Sequence, residues 1–128
     1  MTVLVDTQIL LWSQVVPQRL PKWLVEILEN PDEAPVFSVV SIWEIAIKSA
    51  LKRSDFIFDA KIVRLGLLDL GWRELELTGE HVLGVSDLPV LHSDPFDRVL
   101  VSQSKAAKLE FVTADRALNG YGPHIRMI

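Results

Sequence analysis

The chain contains no cysteine. Disulfides and thiolate-bound zinc are therefore excluded, and a reducing compartment, the cytoplasm, is the simplest setting. Long apolar runs are missing as well. Nothing approaches the roughly 18 residues that read as a membrane-spanning helix, so no membrane role is expected. The N-terminus, MTVLVDTQILLW, is apolar, but no basic segment precedes it and Asp6 interrupts it early. It reads as a buried strand rather than a secretion signal. Positive charge is also scarce. The net charge of −4 argues against a protein that grips nucleic acid through a broad basic face. It does not exclude an enzyme acting on nucleic acid, because clustered carboxylates are neutralised when metal binds. No repeat, low-complexity segment or linker interrupts the sequence, so its 128 residues read as one domain, 1–128.

What is present is a rich apolar content, 49% of residues, arranged as short strands alternating with helices. Residues 2–5 are β-branched or Leu, as in a strand buried on both faces. A helix follows from Thr7 or Gln8 to near Pro17, and Pro21 is placed to open a second helix reaching about Glu29. The run VFSVV at 36–40 reads as a strand. Ser41-Ile42-Trp43-Glu44 has the S-x-x-E form of a capping box and predicts a helix from Ser41 to about Leu51. Within it Glu44, Lys48 and Lys52 recur every fourth residue, one polar stripe on an otherwise buried helix. Asp59 caps a helix to about Leu70, and RELEL at 73–77 alternates like a strand. Thr78 caps a short helix, and Asp94-Pro95 opens another that reaches about Lys108. EFVT is a strand, ADRAL and NGYG are turns, and IRMI is a last strand. This alternation predicts a parallel sheet covered by helices on both faces.

Against that frame, Asp6, Glu44, Asp97 and Asp115 each lie where a strand gives way to a helix or turn. Parallel sheets gather their strand C-termini along one edge, so these carboxylates can meet. Each also has a bland reading. Asp6 can cap the next helix, Glu44 can complete the capping box, Asp97 can favour a helix start, and Asp115 can start a turn. Asp94 already supplies the cap of its helix, which leaves Asp97 free for another role and places Asp94 as cap or outer shell. Together the acids make a hard-cation site, and a divalent metal among carboxylates suits phosphodiester chemistry. Around them, Thr7 can hold a carboxylate or a metal-bound water. Lys48 and Lys52 are either solvated helix charges or a phosphate track, and Arg98 either binds phosphate or locks the acid loop. The three histidines, His81, His92 and His124, have no metal spacing; His92 lies close to the acidic loop and is placed to touch substrate, but an exposed loop residue is the commoner reading. Trp12, Trp23, Trp43 and Trp72 read as core or interface. Two rival phosphotransfer folds fit less well. A dehalogenase-like phosphatase needs an acid where Gln8 stands, and a receiver domain needs an acidic pair where residues 3–5 are Val-Leu-Val.

VLVDTQILLW, SVVSIWEIAIK, LPVLHSDPFDRVLVSQS and FVTAD, in that order along nearly the whole chain, resemble the PIN-domain family and, within it, the VapC-type toxins of bacterial toxin–antitoxin pairs. The run DPFDR followed by a small-residue helix is the specific part of the match. The resemblance implies a PIN-like three-layer α/β/α sandwich around a central parallel sheet. It also implies an Mg²⁺- or Mn²⁺-dependent endoribonuclease whose acidic quartet falls on Asp6, Glu44, Asp97 and Asp115. Attack by water would leave 5′-phosphate and 3′-hydroxyl ends on the RNA. The implied partners are a cognate VapB-type antitoxin, an RNA substrate and a second copy of the chain, with Trp12 and Trp23 on a face for the antitoxin or the homodimer. The alternative is a catalytically silent PIN-type interaction module. The sequence departs from the family at Gln8, where relatives often carry His, and at Ser102 and Ser104, where they often carry Ala.

Overall fold

The computed structural model describes residues 2–51 and 56–128. Its centre is a five-stranded sheet in the order β3-β2-β1-β4-β5, with every neighbouring pair parallel. The strands are β1 (Val3–Val5), β2 (Val36–Ser38), β3 (Arg73–Leu75), β4 (Glu110–Thr113) and β5 (Ile125–Met127). The helices are α1 (Thr7–Val15), α2 (Lys22–Glu29), α3 (Val39–Ala50), α4 (Ala60–Asp69), α5 (Gly79–Gly84) and α6 (Pro95–Ala106). A 3-10 turn, Arg116–Tyr121, joins β4 to β5. This is the three-layer α/β/α arrangement that the alternation of elements predicts.

Alternation along the strands divides the core in two. Val3, Val5, Phe37 and Val112 pack with Ile9, Leu10 and Leu24 of the first two helices and with Val63 and Leu67 of α4. Leu4, Val36 and Phe111 turn the other way, onto Leu100 and Val101 of α6 and onto Leu118 and Tyr121. Residues 2–5 are apolar at every position because both faces of β1 are covered.

Two expectations for α3 need correction. The strand β2 stops at Ser38, and the helix begins at Val39 rather than Ser41. Ser38 is the N-cap, its side chain accepting from Val40 N at 3.0 Å. Ser41 therefore lies inside the helix, and Glu44 sits in its second turn, away from any capping role. The helix is also not otherwise buried: Trp43 is 55%, Ile47 38% and Leu51 65% exposed. It packs against α4 and α6. Trp43 meets Phe96 edge-on, with ring centroids 5.0 Å apart. Lys52, the last member of the expected polar stripe, lies outside the described residues.

The other predicted caps hold. Asp59 accepts from Lys61 N and Ile62 N, and Asp94 accepts from Phe96 N and Asp97 N. Thr78 forms a capping box with His81, which places that histidine in a structural role. Pro21 is the N-cap of α2 rather than its first residue. Among the described residues, no helix is long and apolar enough to cross a membrane.

Candidate active site

The strand order reverses between β1 and β4, and ligands of open parallel sheets bind in the crevice at such a reversal. Asp6 leaves β1 at this point. Its amide donates to Val112 O on β4 at 3.0 Å, and its Oδ1 accepts from Ile9 N at 2.8 Å, capping α1. Thr113, the last residue of β4, donates its hydroxyl to Asp6 Oδ2 and accepts the amide of Asp115 at 3.0 Å. One threonine thus links the first and fourth acids. Asp115 Oδ1 in turn accepts from Ala117 N at 3.0 Å, capping the 3-10 turn. The capping roles expected as bland readings of Asp6 and Asp115 coexist with their convergence.

Glu44 approaches from α3. It is 7% exposed; its Oε2 accepts from Lys48 Nζ at 2.7 Å, and its buried Oε1 has no partner among the described residues. One turn earlier, Ser41 accepts from Thr7 Oγ1 at 2.9 Å, which pins α1 to α3 behind the two acids. The Thr7 hydroxyl is therefore committed to Ser41 rather than to a carboxylate.

The third arm is the start of α6. Asp97 Oδ2 lies 2.9 Å from His92 Nε2, and the same nitrogen lies 3.3 Å from Asp115 Oδ2. His92 is thus a member of the cluster and not a solvated loop residue. In sequence only its closeness to the acidic loop points there, because a lone histidine five positions from an acid has no metal spacing. Arg98 points elsewhere. Its guanidinium donates to Pro89 O, Val85 O, His92 O and the Tyr121 hydroxyl, so it locks the loop before α6. It also lines a separate apolar groove with Trp43, Val82 and Phe96.

Asp6, Glu44, Asp94, Asp97 and Asp115 line one cavity of about 310 Å³, with Thr7, Gln8 and Lys48 at its polar wall and Leu11 and Phe56 at its apolar one. The acids perturb one another. Burial raises the Asp6 pKa, against opposing hydrogen bonds from Thr113 and Ile9, and the Glu44 charge raises it further. Asp97 is pushed up to about 6, first by burial and then by the charges of Asp94, Asp6 and Glu44, with the His92 hydrogen bond opposing. Five carboxylates dominate the polar lining, His92, Asp94 and Asp97 bring ligand atoms within 4.8 Å of one another, and one buried Glu44 oxygen has no partner among the described residues, which fits a hard divalent cation such as Mg²⁺ or Mn²⁺.

The sequence model of the PIN domain matches residues 3–122. The chain belongs to the PIN domain family. Similar solved structures carry the same fold over almost the full length of the PIN domain. A VapBC from Salmonella typhimurium bound to DNA aligns at a TM-score of 0.72 with 14% identity, covering 100% of this chain and 97% of that one. VapBC2 from Rickettsia felis, bound to a DNA fragment from its promoter, aligns at 0.69 with 12% identity, covering 100% and 98%. VapBC-5 from Mycobacterium tuberculosis aligns at 0.58 with 15% identity, covering 99% and 97%. At these identities the likeness concerns the fold. No curated protein matches the chain.

Proposed function

We propose that this PIN domain is a divalent-metal-dependent endoribonuclease and the toxin of a VapBC-type toxin–antitoxin pair. The observation that carries the reading is the convergence of Asp6, Glu44, Asp97 and Asp115 on one cavity in which Glu44 keeps a buried oxygen without a partner. Like charges do not gather in a half-buried pocket for stability, since each raises the cost of ionising the next. A cation that neutralises them gives the arrangement a purpose.

In this reading the four acids hold one or two Mg²⁺ or Mn²⁺ ions, with Asp94 in the outer shell. When bound, the metal supplies Lewis acidity toward a phosphate oxygen and makes water a competent nucleophile at neutral pH. The protein's own groups do the positioning. Ile9 N and Thr113 Oγ1 fix both oxygens of Asp6, and Lys48 holds one oxygen of Glu44 so that the other stays free. The Lys48 side chain is 45% exposed and offers its charge to an approaching phosphate backbone. Leu11 and Phe56 form the dry side of the cavity. In-line attack by water would leave 5′-phosphate and 3′-hydroxyl ends.

Structural neighbours solved as VapBC complexes support the pairing with an antitoxin. Trp12 and Trp23 line a cleft with Leu20, Pro21, Ala114 and Met127, where Arg19 covers one ring and Arg126 the other. That cleft and the exposed side of α3 are the surfaces offered to an antitoxin and to a second copy of the chain. A cytoplasmic setting accords with RNA as substrate.

The test is incubation of protein purified free of any antitoxin with total cellular RNA, with and without Mg²⁺ or Mn²⁺, beside Asp97→Asn. Discrete metal-dependent cuts that the variant fails to make are the expected outcome. Folded protein that cuts nothing under any metal, yet still binds a partner, would establish a silent interaction module instead.

A further inference from the structure

We propose that His92 is a positioning residue of the acidic site, its imidazole tying Asp97 to Asp115 and so fixing the carboxylate arrangement that a divalent metal meets. The inference rests on the metal-dependent reading above. Its basis is geometric. His92 Nε2 hydrogen-bonds Asp97 Oδ2 at 2.9 Å and stands 3.3 Å from Asp115 Oδ2, an ion-pair distance, so one ring nitrogen faces an acid at the start of α6 and another just past β4. An ionised carboxylate only accepts, so with Asp97 and Asp115 ionised Nε2 is the donor.

The loop is built to hold the ring there. Arg98 Nη1 donates to Pro89 O at 3.1 Å and to His92 O at 3.4 Å, and Nη2 donates to Val85 O at 3.2 Å. The Tyr121 hydroxyl accepts from Arg98 Nη1 at 3.1 Å and from Leu91 N at 3.3 Å. The backbone at His92 is thus tied to α6 and to the 3-10 turn, the two elements that carry Asp97 and Asp115.

The consequence falls on the free oxygens. Ala117 N already takes Asp115 Oδ1, and His92 Nε2 faces Asp115 Oδ2 at 3.3 Å. In Asp97 the ring takes Oδ2 and leaves Oδ1 without a partner among the described residues. His92 therefore selects which Asp97 oxygen is available to metal. Outer-shell partners of this kind typically change metal affinity about 10- to 100-fold when removed.

The test is a calorimetric Mn²⁺ titration of the full chain, free of partner protein, as wild type, His92→Leu and His92→Gln. His92→Leu is expected to weaken Mn²⁺ binding about 10- to 100-fold. His92→Gln is expected to recover most of it, because its amide Nε2 donates from nearly the same place. The melting temperature in chelator, read on the same samples, separates this from a purely structural role, which would lower it in both variants without rescue of affinity by Gln. Wild-type affinity in His92→Leu, tighter binding in it, or no rescue by Gln would overturn the inference and leave the metal reading standing. A wild-type protein that binds no Mn²⁺ would overturn both.

Discussion

Two stretches of α6 bury polar side chains in opposite ways. In its middle, Ser102, Gln103 and Ser104 are buried and each has a partner. Ser102 donates to His81 O at 2.6 Å, Ser104 to Val101 O at 2.7 Å, and Gln103 accepts from Ser38 Oγ while donating to Glu76 O at 3.3 Å. At the start of the same helix, Asp97 shares its cavity with Asp6, Glu44, Asp94 and Asp115, and Glu44 Oε1 has no partner among the described residues. Satisfied polar groups of the first kind specify how elements pack. Repelling groups of the second kind weaken the fold and so mark where function overrides stability. Burial alone does not separate structure from site; the gathering of like charges does.

The sharpest way to break this contrast is to neutralise one member of the acid group. Asp97→Asn is expected to lower metal-dependent RNA cleavage by at least about 100-fold, more than loss of an outer-shell partner would. Its melting temperature in chelator should be no lower than that of the wild type, because a repelling charge has been removed. A variant that both cleaves and melts like the wild type would dissolve the distinction.

The complementary change is Gln103→Ala. It leaves Ser38 Oγ and Glu76 O without their partner and opens a cavity, at a cost of about 3 kcal/mol on denaturant titration. Cleavage per folded molecule should change little, since Gln103 touches no carboxylate of the pocket.

Thr113→Val lies between the two regions, because Thr113 is a satisfied group that serves the acids. Loss of its bonds to Asp6 and Asp115 N is expected to cost roughly 1–2 kcal/mol in chemical denaturation. It also removes the largest influence opposing the raised Asp6 pKa, so the metal needed for half-maximal cleavage should rise.

The smallest effect concerns pH. In metal-free protein Asp97 is raised from 3.8 to about 6, and Asp6 is raised as well. The folded state then binds these protons more tightly than the unfolded chain. The penalty for ionising Asp97 is absent below pH 3.8 and fully present above about 6. Wild-type stability relative to Asp97→Asn should therefore fall as pH rises through that window and then level off. Saturating Mn²⁺ should abolish the fall.

Much of this was legible in the sequence, for physical reasons that differ by element. The strand β1 announces itself because both its faces are covered, so every residue is apolar. The cap at Asp94, with Pro95 after it, is read from residue types that few other conformations favour. The start of α3 was misread because Val39 and Val40 are β-branched and extend an apolar run, which hides a helix beginning at Ser38. The exposure of Trp43, Ile47 and Leu51 could not be read, since it depends on which neighbours α3 acquires. Asp6 and Asp115 follow strand ends as expected, whereas Glu44 lies in the second turn of α3 and Asp97 at the start of α6 after a loop rather than a strand, so their meeting depends on the adjacency of β1 and β4 and on how α3 and α6 pack. The sequence places His92 beside the acidic loop but not against Asp115, which comes from the far side of β4.

The chemistry of the cut RNA ends tests the central claim most directly. Wild-type protein should leave 5′-phosphate and 3′-hydroxyl ends in Mg²⁺ or Mn²⁺ and make no cuts in chelator. Cuts that persist in chelator and end in cyclic phosphates would mean that the RNA 2′-hydroxyl, and not a metal held by these carboxylates, drives the reaction.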